Sequence, residues 1–233
     1  MEVAVDCFES VINAQKGGAM RIELCNALSE GGLTPSLGFL KICKTYTTLP
    51  IFPMIRCRGG DFVYSAEEMA IMADDIRIMK ENGADGFVFG VLTSDNNLDK
   101  ENCKMLLDVA RPKPCTLHRA FDETMNCADA LETAVELGFT RILTSGQQKD
   151  AAIGVGTINN LINQAKERII VMPGAGITAL NLEEILLKTN AKEFHGSGKT
   201  SVNSKGQPRF ITSSDNIKKM VTIYRNLIER RNE

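Results

Sequence analysis

The densest chemistry in the chain lies in Leu117-His118-Arg119-Ala120-Phe121-Asp122, where an apolar run ends in an imidazole, a guanidinium and a carboxylate. His118 has the chemistry to give or take a proton and Arg119 to hold an anion, and Asp122 adds a carboxylate beside them. The chain has one other histidine, His195, and it also stands where a short apolar run stops. The same punctuation recurs: apolar runs end at Asp6, at Glu23 with Cys25, and at Arg56, with Arg58 just beyond. Ser145 closes another run, and two glycine-rich loops, Pro173-Gly174-Ala175-Gly176 and Gly196-Ser197-Gly198, follow the last two.

Positioning such residues calls for a frame that presents strand ends in a ring. Strand-like runs are expected at Glu2–Asp6, Arg21–Cys25, Ile51–Arg56, Gly86–Gly90, Cys115–His118, Arg141–Thr144, Ile169–Met172 and Glu193–His195. Each is followed by a helical pattern, with Ser36 and Ser65 as N-caps and a helix near Ile158–Glu167. Ser214 and Asp215 are expected to cap a last helix that runs to about Glu229. Eight strand–helix units in strict alternation, with short connections, predict a parallel sheet closed into a single α/β domain, a (β/α)8 or TIM barrel over residues 1–233. The one long connection is a variable loop at about 197–213.

Composition narrows the function classes. A net charge of -2 with no basic block gives no reason to expect nucleic acid or an anionic membrane as a partner. No apolar run approaches the ~20 residues of a spanning helix, and no secretory signal opens the chain. Seven scattered cysteines without a C-x-x-C pair read as reduced thiols of a cytoplasmic protein, one small enough to enter the nucleus as well.

In a barrel of this kind the chemistry sits at the C-terminal ends of the strands. The catalytic candidates are Asp6 or Glu23 as base and His118 as acid. Arg56 and Arg119 are the anion clamps, and Gly174, Gly176, Gly196 and Gly198 form a backbone cradle for phosphate; Asp122, Ser145 and His195 complete the rim. Period-two alternation places Cys25 and Arg21 on the face of Glu23, and Met54 on the face of Arg56. No lysine falls within a strand, which argues against a Schiff-base aldolase, and two histidines are few for a hydrolytic metal centre. Gly196 to Ser201 looks like a phosphate loop but has Glu193 where that pattern wants glycine, so no nucleotide cofactor is expected.

Six motifs in order resemble the CutC copper homeostasis family: Arg21-Ile22-Glu23-Leu24-Cys25, Glu30-Gly31-Gly32 with Thr34-Pro35, Arg58-Gly59-Gly60-Asp61-Phe62, His118 to Asp122, Leu143 to Gly146, and Met172 to Ile177. The resemblance runs from Met1 to His195 and weakens after Gly198. It implies a cytosolic (β/α)8 barrel, a homo-oligomer (dimer or tetramer), associated with copper and proposed to bind Cu(I). In relatives resembling the animal proteins, the proposed copper thiolates are the cysteine of the Arg-Ile-Glu-Leu-Cys motif and one on the first strand. The first is present as Cys25, while Ala4 holds the second position.

Cu(I) is soft and prefers thiolate or thioether donors, so Cys25 and Met54, inward on adjacent strands, form a candidate residual site. Two readings follow. One is a copper-homeostasis protein that holds Cu(I). The other is a barrel enzyme using acid–base catalysis on a small phosphorylated or carboxylated metabolite.

Overall fold

Short parallel strands buried on both faces need side chains that satisfy an outer helix layer and an inner core, so they read as apolar runs rather than clean alternations. A computed structural model describes residues 1–204 and 207–232. Its elements are β1 (Glu2–Val5), α1 (Phe8–Gly17), β2 (Arg21–Leu24), α2 (Leu37–Tyr46), β3 (Ile51–Pro53), α3 (Ala66–Glu81), β4 (Phe87–Phe89) and α4 (Lys100–Ala110). The chain continues with β5 (Cys115–Leu117), α5 (Cys127–Leu137), β6 (Arg141–Thr144), α6 (Val155–Ala165), β7 (Ile170–Pro173), α7 (Leu182–Thr189) and β8 (His195–Gly196). A hairpin of β9 (Lys199–Ser204) and β10 (Gln207–Thr212) precedes α8 (Ser214–Asn232).

The strands form two parallel ladders, β3-β2-β1-β8 and β4-β5-β6-β7. A bridge between Met54 and Val88, with the Ile55 amide donating to the Val88 carbonyl at 2.8 Å, joins β3 to β4. On the opposite side the backbone of Gly174 abuts His195, where a Cβ on the glycine would lie 3.4 Å from that of the histidine. The order β8-β1-β2-β3-β4-β5-β6-β7 is the expected (β/α)8 barrel.

Local sequence explains the ends of the helices. Ser65 and Glu68 form a complete capping box at α3, and the Ser36 side chain accepts from the Phe39 amide at α2. The last helix is capped one residue earlier than the sequence suggests: Ser213 Oγ accepts from the Asn216 amide, and Ser214 is already helical. Helix α6 starts at Val155 rather than Ile158, because the three-residue pattern begins in a turn whose only punctuation is Gly154. Strand β8 is registered at His195–Gly196, starting two positions and ending one position later than expected, set by pairing of Glu2 with His195.

The stretch expected as a loop at about 197–213 contains the β9–β10 hairpin; residues 205 and 206 lie outside the described residues. The hairpin is tied to α1 through Thr212, whose amide donates to Ser10 Oγ at 2.9 Å and whose carbonyl accepts from Asn13 Nδ2 at 2.9 Å. No helix of the described residues is long and apolar enough to cross a membrane.

Candidate functional site

The inward faces of β1, β2 and β8 carry more charge than a barrel interior normally holds. At the base, Arg21 Nε donates to Glu2 Oε2 at 2.5 Å and Arg21 Nη2 to Glu193 Oε2 at 2.6 Å. Arg141 Nε reaches Glu193 from β6 at 2.9 Å, and both guanidiniums lie over the ring of Phe52. Above this base His195 Nδ1 meets Glu2 Oε1 at 2.8 Å, and its Nε2 faces Glu23 Oε2 at 3.7 Å. Glu2 and Glu193 were not among the expected site residues. The signal was available, since Glu2 shares the parity of Ala4 and Glu193 that of His195.

Burial and partners set the protonation pattern. Burial alone would raise Glu2, but the hydrogen bond from His195 and the charge of Arg21 hold its carboxyl well below the usual range. Glu23 is pushed up to about 6 by burial, with His195 opposing. Burial works to lower His195, yet the carboxylates of Glu23 and Glu2 win and raise it. Glu2, Glu23 and His195 each bring one potential metal-ligating atom within 4.8 Å of the others. Both oxygens of Glu2 are already taken by His195 and Arg21, so this trio is first an ion-pair network. Glu23 Oε1 is the exception, buried and without a partner.

The network floors a cavity of about 1010 Å³ at the C-terminal ends of the strands, lined among others by Glu23, Met54, Arg56, His118 and His195. His118 is buried, and its Nδ1 accepts from the Ala120 amide at 3.2 Å. That bond leaves the proton of the neutral ring on Nε2, which has no partner. Burial, then the neighbouring Arg56 charge, lowers its pKa to about 3. Burial and the Arg56 charge thus favour the neutral ring, which presents its Nε2–H toward the cavity as a hydrogen-bond donor.

Arg56 spends its donors on the carbonyls of Glu30 at 2.8 Å, Gly60 at 2.7 Å and Gly32 at 3.4 Å, with Nε left unpartnered. Phe62 packs against both residues, 4.8 Å from the guanidinium carbon and 4.8 Å from the imidazole centroid.

The other rim residues divide into lining and scaffold. Arg119 lines the cavity, but its Nε is paired with Asp122 at 2.8 Å and Nη2 reaches Ser145 Oγ at 3.1 Å. Asp122 is a latch: it accepts from Thr144 Oγ1 at 2.5 Å, from the Ser145 amide at 3.0 Å and from the Gln147 amide at 3.2 Å, fixing the loop after β6. Ser145 is buried in that latch and does not line the cavity. Asp6 likewise lies outside the lining, where its Oδ2 accepts from the Leu28 amide at 3.2 Å, so the expected base on β1 is a loop anchor. Gly174 is small to admit Leu143, whose Cδ1 would lie 2.4 Å from an added Cβ; Gly176, Gly196 and Gly198 do line the cavity.

The two sulfur-bearing side chains are neighbours. Cys25 and Met54 belong to one buried inner cluster with Phe52 and Val88. Gly32, held at φ +93°, lies against both: a Cβ there would sit 3.1 Å from Cys25 Sγ and 3.4 Å from Met54 Cε. Cys25 Sγ donates to Glu23 Oε2 at 3.6 Å, and burial, followed by that carboxylate, raises the thiol well above its ordinary value. A sulfur pair with an adjacent carboxylate fits a soft monovalent cation once the thiol gives up its proton.

A single (β/α)8 barrel with a polar, half-charged mouth and a buried thiol–thioether pair is the class that fold and site define. Within that class the chain belongs to the CutC family, whose model matches residues 1–200. It is 53% identical over 204 residues to the copper homeostasis protein cutC homolog of Homo sapiens, covering 88% of this chain and 75% of that one. It is 43% identical over 207 residues to the CutC family protein of Vibrio vulnificus strain CMCP6, covering 88% and 83%. The crystal structure of a copper homeostasis protein CutC from Streptococcus agalactiae superposes with a TM-score of 0.81 at 35% identity, covering 84% of this chain and 97% of that one. The family match ends two residues into β9, so most of the hairpin and all of α8 lie outside it.

Proposed function

We propose that this chain takes part in copper homeostasis in the cytoplasm and takes up Cu(I) at Cys25 and Met54. The observation that carries the site is the convergence of the two sulfur side chains over Gly32. The names of its relatives supply copper as the cargo. Cys25 brings the anionic donor, Met54 a neutral thioether, and the Glu23 carboxylate beside the thiol is placed to accept its proton as the metal enters. Ala4 stands on the adjacent strand, opposite Glu23 in the β1–β2 register, so the second thiolate of the animal-type arrangement is absent and Met54 takes its place.

Anaerobic Cu(I) titration against a competing chelator tests the reading. One ion per chain is expected, with affinity rising with pH because the thiol must lose a proton. Cys25→Ala is expected to abolish that binding and Met54→Leu to weaken it about tenfold, or ~1.4 kcal/mol. Unchanged affinity in Cys25→Ala sinks the site.

The chain is also proposed to form a homo-oligomer. Support comes from a partly exposed apolar surface shared by α1 and α2, where Phe8 meets Tyr46 edge-on with ring centroids 5.2 Å apart and Ile42 lies one turn before Tyr46.

A further inference from the structure

Of the proposed copper pair only Met54 lines the cavity, and most of the cavity's polar groups are left unused. Four observations converge on what those groups fit.

First, the loop after β7 turns its carbonyls away from the cavity. Ala175 O accepts from the Ala151 amide at 3.0 Å, and Gly176 O accepts from Asn181 Nδ2 at 2.9 Å. In a trans peptide the N–H points opposite the C=O, so the amides of Gly176 and Ile177 face the other side, where both residues line the cavity. Ala175 and Gly176 sit at φ +72° and +70°; a non-glycine residue in the left-handed region is backbone strain held at a cavity wall.

Second, two lysines stand at the same end of the cavity, Lys199 at the start of β9 and Lys219 on α8. Neither forms an ion pair among the described residues, whereas Lys188, Lys192, Arg209 and Arg230 in the same part of the chain all do.

Third, the floor holds a buried guanidinium with no carboxylate partner. Arg56 hydrogen-bonds only to carbonyls and keeps a free Nε–H, while His118 beside it presents an unpartnered Nε2–H. Buried donors left without acceptors are costly unless a ligand supplies them.

Fourth, the floor has one orphaned acceptor, Glu23 Oε1.

We propose that the barrel mouth binds a small phosphate monoester bearing a carboxylate or carbonyl and a hydroxyl group. The phosphate sits on the Gly176 and Ile177 amides under Lys199 and Lys219. The carboxylate or carbonyl oxygens accept from Arg56 and His118, and the hydroxyl donates to Glu23. Phe62, packed on both floor donors, keeps water from them and raises the value of each bond. Apart from Glu23, whose Oε2 faces the Cys25 thiol while Oε1 is free, the site is built from groups that Cu(I) does not use.

The test uses the full, metal-free chain with three probes: inorganic phosphate, glycerol 3-phosphate and 3-phosphoglycerate. Calorimetric titration is expected to rank them 3-phosphoglycerate tightest and inorganic phosphate weakest. The double variant Lys199→Ala, Lys219→Ala changes exposed side chains only and is expected to weaken all three by about tenfold. His118→Phe is expected to weaken 3-phosphoglycerate by about tenfold and leave inorganic phosphate unchanged, with Arg56→Met behaving the same way where it folds. The ranking and the lysine variant carry the test if neither floor variant folds. Absence of binding for all three probes at millimolar concentration overturns the proposal, as does unchanged binding in the double lysine variant. Equal affinity for the three probes overturns the assignment of the floor.

Discussion

The two histidines show how far identical residues diverge once buried in different company. Both stand at strand ends on the same rim. His118 is buried beside the Arg56 guanidinium, and burial first and that charge second lower its pKa to about 3, while His195 sits between two carboxylates that raise its pKa against burial. Their contributions to stability run in opposite directions with pH. For His118 the folded value lies below the unfolded one near 6.5, so the unfolded chain protonates first, and stability present above pH 6.5 is lost as pH falls toward 3. For His195 the folded value lies above the unfolded one, so stability present below pH 6.5 is lost as pH rises through the folded pKa. Urea unfolding from pH 8 to 4 should therefore show wild type losing its advantage over His118→Gln as pH falls, by on the order of 2 kcal/mol. Its advantage over His195→Gln should shrink as pH rises. Parallel stability curves for the three proteins would refute the assignment. The sequence marked both histidines as functional candidates, but their charge states depend on Arg56, Glu2 and Glu23, which arrive from other strands and are invisible to local reading.

Among the elements, those with local chemistry were legible and those fixed by tertiary approach were not. The capping box of α3, the Ser36 cap and the glycine stop of α5 could be read directly, because each satisfies orphaned helix-end groups from within a few residues. The β9–β10 hairpin could not. Its strands carry no clean alternation, with Phe210 and Ile211 falling on opposite faces, and its position depends on Ser10 and Asn13 about 200 residues earlier. The same approach explains Gly17, where α1 meets the start of α8: an added Cβ would lie 2.5 Å from Ile217 Cβ and 2.8 Å from the Ser214 carbonyl. Neither atom is the far end of a flexible chain, so one of the two helices must shift. Gly17→Ala is expected to destabilise the protein by ~1–3 kcal/mol despite the better helix propensity of alanine. Gly156→Ala, inside α6 with nothing within 4 Å of its added Cβ, serves as control and should be neutral or stabilising. A thermal melt of both variants decides it, and a Gly17→Ala chain as stable as wild type would mean that the helices do not approach this closely.

For the molecule as a whole, the barrel closes around an ion-pair network where a hydrophobic plug would be expected. Counting strand–helix units was enough to predict the fold, because eight alternating units leave few other closures. What counting could not reveal is how the base is filled. Arg21 was placed inward by parity, but its role is set by Glu2 across the β1–β2 register and by Glu193, which Arg141 holds from the far wall. Arg21 thus ties strands on both sides of β1 to one another while being almost wholly buried. Arg21→Met should therefore do more harm than the loss of one surface pair. It leaves Glu2 with only His195 to offset its charge, and breaking a buried pair from one side typically costs ~3–5 kcal/mol. Most of that cost belongs to the uncompensated carboxylate. Adding Glu2→Gln to Arg21→Met removes the stranded charge and should recover part of the loss, while Glu193 stays paired with Arg141. Urea denaturation of wild type, the single variants and the double variant at pH 7 measures the coupling. Strictly additive losses would show that Arg21 and Glu2 act independently and that the network does not hold the barrel's base together.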